Sequence, residues 1–405
     1  MNTRRRLALV LVALPLAFYA YACSSDSGGG GGTTDDAGGG GSEGGPGTDS
    51  STGTDSSTPG MDSSTGIDAA DASDGAVTPT CIGNPLTADG GNLDGGVSLD
   101  AAVTTQIVTV APGSFLDGPQ WLDANGGFLV FSEFDPTARL QRVAADGGAL
   151  GLFRDAGFNN ATNGPVGSAL RGGLLITAVD QKTGAATPGS FFVTAPDGGA
   201  AAPLSLGAAG ATSPNDLVVG PGNNLYFTDG QYVVGAPGTT GLYQMYPDAA
   251  VTKIQQNFGR ANGIALSPDN TKLYVGIGPI STLELDPKAV LVYTVDAATG
   301  GVTGPGASFL TALDLTDVPD GIAVDIGGNL WIAEAAANNV ASGRIEVFSP
   351  AKKKLGTIPF PGQRPTGVAF GGPDGTKLFV TTEASTSGGA SAGVFTYVSR
   401  CAGIK

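Results

Sequence analysis

Short apolar runs separated by turn residues dominate the chain beyond residue 105. Strand-like examples are Ser190–Thr194, Gly241–Tyr246, Val290–Val295 and Val394–Val398. Pro-Asp and Asp-Gly steps between such runs supply the backbone angles that hairpin turns require. No window shows a sustained 3.6-residue apolar period with helix caps, and 67 Gly and 26 Pro oppose helices. The pattern predicts an all-β fold.

A short phrase recurs six times between residues 117 and 382, each time followed by a strand-like run such as Leu225–Thr228 or Leu330–Ala333. The first residue of every copy carries a side-chain oxygen; these residues are Asp117, Asn163, Asn215, Asn262, Asp320 and Thr366. The copies recur about every 46 to 58 residues, a period typical of propeller blades. Because equivalent positions of a propeller converge on one axis, the repeat predicts both a fold and a site. We expect six blades, each a four-stranded antiparallel sheet.

The segment 24–80 has a different composition, almost entirely Gly, Ser, Thr, Asp and Ala, with no aromatic residue. Such a segment has too little apolar surface to offset the entropy of folding, so we expect a disordered tether. Its root-mean-square reach would be roughly 40 Å by random-coil scaling. The remaining residues, 81–405, are predicted to form one propeller domain.

Residues 1–23 have the features of a secretory signal: Arg4-Arg5-Arg6, an apolar run and then small residues. Ala20-Tyr21-Ala22-Cys23 resembles a bacterial lipoprotein box, in which the cysteine becomes the lipidated first residue. This predicts an exported protein, anchored through a lipid on Cys23 to the outer membrane or cell surface. Cleavage after Ala20 or Ala22, with Cys23 incidental, is the alternative.

Two further cysteines, Cys81 and Cys401, lie at the two ends of the predicted domain. An exported compartment permits disulfides. A bridge between them would close a long loop and stabilise the ring by about 5 kcal/mol in the chain-entropy model. We predict this disulfide; the alternative is two unpaired thiols.

Composition narrows the function. The net charge is −16, without a basic stripe, so nucleic acid is not an expected partner. The chain contains no His, which excludes His-assisted serine hydrolysis and His metal sites. If the chain is an enzyme, the route that remains uses carboxylates with a metal.

Five of the repeated motifs resemble the gluconolactonase / senescence-marker-protein family and occur in the family's order. They are Gly118-Pro119-Gln120-Trp121, Ser213-Pro214-Asn215-Asp216, Ala261–Asp269, Pro319–Asp325 and Gly367–Gly375. The resemblance implies a six-bladed propeller that holds one divalent metal on its axis, usually calcium or zinc, and hydrolyses lactones. Oxygen ligands of this kind also suit magnesium or manganese.

Transferred residue by residue, the resemblance implies metal ligands at Asp117, Asn262 and Asp320. Asn215 would complete the metal site or contact substrate, and Asp320 would act as the general base. Asn163 is a candidate for substrate contact only, and Thr366 is assigned to structure. The family has Glu where this chain has Asp117, one methylene shorter, which would shift the metal or admit a water.

Each motif also has a structural interpretation. Asn-Gly and Asp-Gly are common hairpin turns, and we expect Trp121 and Trp331 to pack between blades. Three acids in the following turns are assigned to those turns: Asp269, Asp325 and Asp374. The loops 231–240 and 277–289 are expected to shape the pocket.

Three functions remain open at this point. The first is a metal-dependent lactonase acting on a small-molecule lactone. The second is a surface-tethered binding or scaffold propeller, because this fold hosts many non-enzymatic roles. The third is a calcium site that only stabilises the ring.

Overall fold

The computed structural model describes a single β-rich unit. The described residues are 99, 104–155, 158, 163–181, 188–199, 201–207, 209–230, 240–278, 288–335, 343–384, 391–399 and 401–404. All of them belong to the compact unit 72–405. The predicted signal with Cys23, the tether, Cys81 and most of the two pocket loops lie outside the described residues, so those assignments stay predictions.

Strands account for most of the described chain. In order they are β1 (Thr105–Thr109), β2 (Phe115–Leu122), β3 (Phe128–Asp135), β4 (Arg139–Val143), β5 (Gly151–Arg154), β6 (Asn163–Arg171), β7 (Leu174–Gln181), β8 (Ser190–Thr194), β9 (Ala201–Leu204), β10 (Pro214–Gly220), β11 (Asn224–Asp229), β12 (Gly241–Met245), β13 (Val251–Gln256), β14 (Arg260–Leu266), β15 (Lys272–Gly278), β16 (Ala289–Val295), β17 (Val302–Leu310), β18 (Pro319–Val324), β19 (Leu330–Glu334), β20 (Arg344–Phe348), β21 (Lys354–Pro359), β22 (Gln363–Gly371), β23 (Lys377–Ala384) and β24 (Gly393–Val398). The described residues include two three-residue 3-10 helices, Ala124–Gly126 and Pro221–Asn223. No helix in the described part is long and apolar enough to cross a membrane. The all-β prediction is confirmed.

The strands form antiparallel sheets in sequence order. Four sheets contain four consecutive strands each: β6–β9, β10–β13, β14–β17 and β18–β21. The remaining eight strands form one sheet, in which β2–β5 and the group β22, β23, β24 and β1 meet. These two groups are joined through a single residue pair, Phe115 with Glu383. Four-stranded antiparallel sheets of this kind are consistent with a propeller, and β1 completes the sheet of the last strands.

The core lies between neighbouring sheets. Phe227, on β11, meets Phe191 of the preceding sheet edge-to-face at 4.9 Å between ring centroids and stacks on Tyr243 at 5.2 Å. All six residues of β11 are buried, because an inner strand of a sheet packed on both faces has no solvent side. This explains why Leu225–Thr228 has the continuous apolar character of a fully buried strand.

The structure confirms the packing roles predicted for the two tryptophans. Trp121 stacks on Phe379 of β23 with 5.6 Å between ring centroids. Trp331 meets Phe370 of β22 edge-to-face, also at 5.6 Å, and its indole nitrogen donates to Asp325. Both tryptophans are buried, so neither is available to a ligand.

The turn acids also lie where predicted. Asp269 accepts hydrogen bonds from Ser267 and Thr271 within its turn, and Asp374 accepts one from the Thr376 amide. Asp325 is fully buried and holds the Asn329 backbone and side chain. Each of these three carboxylates stabilises the turn between two consecutive strands: β14 and β15, β18 and β19, and β22 and β23.

Cys401 is buried near the end of the chain. The residues after it form hydrogen bonds with the end of β18 and the turn that follows. The Ile326 amide donates to the Ala402 carbonyl, and the Ile404 amide donates to the Val324 carbonyl. The C-terminal end is therefore fixed to the body of the domain. Because Cys81 lies outside the described residues, the disulfide stays a prediction.

Candidate functional site

The first strand of every sheet unit has a break in its pairing, and in five of the six units this break falls within the recurring phrase. The described residues that the ladder leaves unpaired are Gly118-Pro119 in β2, Val166-Gly167 in β6, Asn215-Asp216 in β10, Asn262-Gly263 in β14, Asp320-Gly321 in β18 and Thr366 in β22. Such β-bulges bend a strand and re-aim its side chains, and they are common next to active sites. In five of the six first strands the phrase therefore coincides with a bulge.

Neighbouring bulges approach one another so closely that glycine is required. A Cβ added to Gly118 would lie 2.0 Å from the Val166 carbonyl oxygen, and one added to Gly263 would lie 2.1 Å from the Asp320 carbonyl oxygen. At Gly321, an added Cβ would lie 2.8 Å from the Cα of Gly367. The backbones of successive first strands therefore touch at the bulges, which brings the predicted site residues together.

A small cavity lies where the bulges meet. Its lining comes from the first strands of the sheet units: Asp117, Gly118, Pro119, Gly167, Asn215, Asp216, Asn262, Gly321, Gly367 and Val368. Its volume of about 30 Å³ is enough for an ion or a few waters and too small for a sugar. Asp117, Asn215 and Asn262, three of the four predicted metal ligands, line it directly. Asp320 is the residue before the lining Gly321.

The Asp320 carboxyl interacts electrostatically with Asp117 and Asp216, which line the cavity. Burial first, and then the negative charge of Asp117, raises the pKa of Asp320 well above its ordinary value, while Arg364 opposes the shift. Burial, with a further contribution from Glu383, also raises the pKa of Asp117. The carboxylates of different sheets therefore share one region in which negative charge is poorly compensated.

Sequence reasoning gave no role to Asp216, although its motif was recognised. Asp216 is the second residue of its copy of the phrase, where the other five copies have glycine. Its carboxylate accepts the backbone amides of Leu217 (2.9 Å) and Ile264 (3.3 Å). Burial, then the charge of Asp117, raises the pKa of Asp216 to about 7. The Ile264 bond joins β10 to β14 just after Asn262. The exception to glycine in this position was the sequence signal that could have identified it.

A positively charged side chain, Arg364, also lies beside the site. Arg364 Nη1 forms a 2.5 Å ion pair with Glu383, and both charges act on Asp320. The Arg364 Nε atom is buried and has no hydrogen-bond partner among the described residues. This pair was not predicted, since neither residue belongs to the repeated phrase.

The structure corrects the alignment of the second copy. The bulge of β6 falls at Val166-Gly167, three residues beyond Asn163, so Asn163 is not equivalent to Asn215. Asn163 is buried, its amide lies 3.4 Å from the Pro188 carbonyl oxygen, and it is not among the residues that line the cavity. In β2 the bulge likewise starts one residue after Asp117. Contact of Asn163 with substrate stays a prediction.

Thr366, which the sequence analysis assigned to structure, links two sheet units. Its side chain is buried, and its hydroxyl donates to the Leu116 carbonyl oxygen at 2.6 Å. Leu116 immediately precedes Asp117. Thr366 therefore holds the strand that carries this carboxylate and offers no ligand atom itself.

A buried glutamate fixes the segment that leads to Asp320. Glu334, the last residue of β19, accepts the backbone amides of Thr316 (3.1 Å) and Asp317 (2.9 Å). Burial, followed by the charge of neighbouring Glu346, raises the pKa of Glu334. In the same way Asp229, the last residue of β11, accepts the amides of Thr212 (2.5 Å) and Ser213 (3.1 Å) ahead of Asn215.

Glu334 should make stability depend on pH. Because its folded-state pKa is raised, the folded chain keeps a proton that the unfolded chain has already released, so stability falls as pH rises above the ordinary glutamate range. Replacing Glu334 by Gln removes this titration. We expect the melting temperature of Glu334→Gln to decline less steeply than that of the wild type between about pH 5 and pH 9.

The matched control is Asp374→Asn, because hydrogen bonds lower the pKa of Asp374 and it is ionised throughout that range. The melting temperature of Asp374→Asn should change with pH as steeply as that of the wild type. Identical slopes for wild type and Glu334→Gln would contradict the assigned shift.

The residues present fit a hard divalent cation. Carboxylate and amide oxygens are the ligands that calcium and magnesium prefer. Burial and neighbouring carboxylates raise the pKa values of Asp117, Asp216 and Asp320, and a cation would favour their ionised forms. Within the described residues no three acids, cysteines or histidines are grouped so as to bind a metal alone. A metal would therefore depend on the amide oxygens of Asn215 and Asn262.

Comparison with known proteins agrees with this geometry. The family model described as SMP-30/Gluconolactonase/LRE-like region matches residues 117–384. A gluconolactonase of Zymomonas mobilis is 30% identical over 315 residues, covering 69% of this chain and 79% of the relative. A pentonolactonase of Haloferax volcanii is 30% identical over 152 residues, covering 38% of this chain and 47% of the relative.

Solved structures show the same fold. A gluconolactonase from Xanthomonas campestris superposes with a TM-score of 0.57 at 23% identity, covering 74% of this chain and 91% of that chain. A calcium-binding regucalcin from Agrobacterium tumefaciens gives 0.56 at 18% identity, covering 74% and 95%. At these identities the likeness establishes the fold alone. The family match and the named relatives go further: this chain belongs to the SMP-30/gluconolactonase/LRE-like family, whose named relatives here include lactonases.

Proposed function

We propose that this chain is a metal-dependent hydrolase that opens sugar lactones at the cavity between the bulges. The observation that carries the proposal is the convergence of Asp117, Asn215 and Asn262 on one cavity, with Asp320 coupled to it. We also infer that the eight-stranded sheet is two blades joined at their inner edge, which makes the propeller six-bladed.

The proposed metal ligands are Asp117, Asn215, Asn262 and Asp320, with calcium or zinc as the ion. When bound, the cation would polarise the lactone carbonyl and lower the pKa of a coordinated water. The chain supplies the charge and geometry for this: two carboxylates and two amides held on four different first strands. Asp117 lines the cavity despite its shorter side chain, which supports its inclusion.

Asp320 would act as the general base. Burial raises its pKa, which makes it a better proton acceptor than an exposed aspartate, while the charge of Arg364 favours the ionised form that a base requires. Asp320 takes a proton from the attacking water as its oxygen bonds to the carbonyl carbon. The bond between this carbon and the ring oxygen then breaks, and the proton passes to the departing ring oxygen. The product is the open hydroxy acid.

The substrate must sit at the mouth of the cavity, because the cavity itself is too small for a sugar ring. Arg364 and Glu383 lie beside Asp320, where they can donate to and accept from substrate hydroxyls. These groups favour a polar, hydroxylated lactone over an apolar one. The named sugar lactonases among the relatives support the same substrate class.

The direct test is hydrolysis of a panel of aldonolactones by the full chain, before and after removal of divalent metal by a chelator. We expect turnover that disappears on chelation and returns with calcium or zinc. An unbranched aliphatic lactone is the matched control substrate and should react more slowly. Turnover that persists after complete chelation would refute the metal-dependent mechanism.

A surface-tethered binding or scaffold role, with or without a structural calcium, remains the second candidate. One observation favours it: Asp117 replaces the longer glutamate of the family. In that case calcium would raise the melting temperature while no lactone of the panel is opened.

A further inference from the structure

A buried hydroxyl lies opposite one of the bulges that form the cavity. In the ladder between β10 and β11, Asn215 and Asp216 are the two bulged residues, and Thr228 is the single residue opposite them. Thr228 is fully buried, so its hydroxyl needs partners within the protein. A threonine hydroxyl has one proton to donate and two lone pairs that accept. One such group can therefore connect two backbone segments.

The Thr228 hydroxyl connects the two strands that carry the proposed asparagine ligands. Its oxygen accepts the backbone amide of Asp216 at 3.1 Å and lies 2.7 Å from the Asn262 carbonyl oxygen. The Asp216 carbonyl oxygen is farther away, at 3.3 Å. Because the hydroxyl has one proton, the shorter contact takes it, and Thr228 donates to Asn262. The two peptide groups that it binds directly follow Asn215 and Asn262 in the chain.

Other contacts hold the residues that follow Asn262. The Asp216 carboxylate accepts the Ile264 amide at 3.3 Å. A Cβ added to Gly263 would lie 2.1 Å from the carbonyl oxygen of Asp320, so the backbone of β18 lies against this bulge. The Thr228 bond holds the Asn262 carbonyl itself. The bulge of β14 is thus fixed by the strands on either side of it in the sequence of sheets.

We propose that Thr228 is a positioning residue that fixes the distance between Asn215 and Asn262 for binding of one cation. The inference rests on the proposed function, because it assumes that the cavity takes a divalent cation. Both asparagines line the cavity, and Thr228 is not among its lining residues. Two amide ligands on different strands can bind the same ion only while the strands keep their separation. Loss of the hydroxyl should therefore weaken cation binding through the ligands.

The test is calorimetric titration of calcium and of zinc into the full chain and into three variants at position 228. Thr228→Val keeps the shape of the side chain and removes the hydroxyl. We expect its affinity to fall about 10-fold, the lower end of what loss of a partner behind a metal ligand typically costs. Thr228→Ser keeps the hydroxyl and should bind nearly as tightly as the wild type. Thr228→Cys has a weakly bonding thiol instead and should bind more weakly than Thr228→Ser.

Thr177→Val is the matched control. Thr177 is also fully buried on a second strand, and its hydroxyl lies 3.0 Å from the Ser168 hydroxyl within the same sheet. Ser168 belongs to β6, which carries no proposed metal ligand. The melting temperature of Thr177→Val should fall while its cation affinity stays at the wild-type value. A purely structural role of Thr228 would give the same result for Thr228→Val.

The outcomes separate this inference from the proposed function. A wild-type chain that binds neither ion overturns the proposed function and this inference with it. If the wild type binds, equal affinity in Thr228→Val overturns the inference alone. Should Thr228→Val not fold, equal affinity of Thr228→Cys and Thr228→Ser overturns it instead. So does a loss in Thr177→Val as large as that in Thr228→Val, because weakened binding would then follow from lost stability.

Discussion

Replacing Asp320 by Asn should abolish lactone hydrolysis. Asparagine keeps the size of the side chain and an oxygen, but it cannot accept a proton from water at neutral pH. Loss of a general base typically lowers the rate by about 10²- to 10⁴-fold, and loss of a negative ligand should weaken metal binding as well. The measurement is the turnover of an aldonolactone at saturating calcium or zinc.

The control for this substitution is Asp374→Asn, the same chemical change in a turn acid that holds Thr376 and takes no part in the cavity. It should keep wild-type turnover. Asp320→Asn is nearly isosteric, and it removes the repulsion from Asp117 that contributes to the raised pKa of Asp320, so its melting temperature should not fall. Activity that survives in a folded Asp320→Asn chain would eliminate Asp320 as the base.

Replacing Gly263 by Ala should destabilise the ring and disable the site together. The new methyl would lie 2.1 Å from the Asp320 carbonyl oxygen and 2.7 Å from the Ile322 amide nitrogen. Both are backbone atoms of a buried strand, which cannot move aside as a flexible side chain can. Overpacking typically costs about 1–3 kcal/mol, occasionally more, and here relief requires separating the strands that carry Asn262 and Asp320.

Chemical denaturation and metal titration of the same sample measure both effects. Gly301→Ala is the matched control, because an added Cβ there has ordinary van der Waals contact, 3.4 Å from the Thr299 hydroxyl. It should leave both stability and affinity close to wild type. If Gly263→Ala were as stable as Gly301→Ala, the backbones of β14 and β18 could not approach each other as closely as the structure shows.

The sequence predicted the repeat and its chemistry because both are local. A short stretch of sequence is enough to recognise an apolar run, a turn dipeptide or an oxygen-bearing residue at a fixed position. None of these features depends on which strand packs against that stretch. The all-β class, the packing of Trp121 and Trp331 and the turn roles of Asp269 and Asp374 follow from that information. The convergence of Asp117, Asn215 and Asn262 followed from the symmetry of a ring.

What the sequence did not predict depends on contacts between sheets. Asp180, in β7, accepts a hydrogen bond from Ser213, the residue before β10, and no spacing rule connects them. The position of a bulge is equally non-local, since it is defined by the partner strand. Counting from the motif alone placed Asn163 at the wrong position of the repeat, and only the pairing of β6 with β7 reveals Val166 and Gly167 as the bulge.

Asp216 lies between these two cases. Its motif belongs to the repeat and the other five copies have glycine at this position, but Asp next to Asn resembles an ordinary turn. The structure shows why the exception matters: the carboxylate joins β10 to the Ile264 amide of β14, where other interfaces are closed by glycine contacts. Asp216, which departs from the repeat, therefore lies at the contact between β10 and β14, the strands that carry Asn215 and Asn262.

The central claim is that oxygen ligands from separate first strands form one cation site, and calorimetric titration of calcium and zinc into the metal-free full chain tests it most directly. We expect the wild type to bind one ion per chain and Asp320→Asn to lose binding or bind far more weakly. No binding by the wild type, or equal binding by wild type and Asp320→Asn, would contradict it.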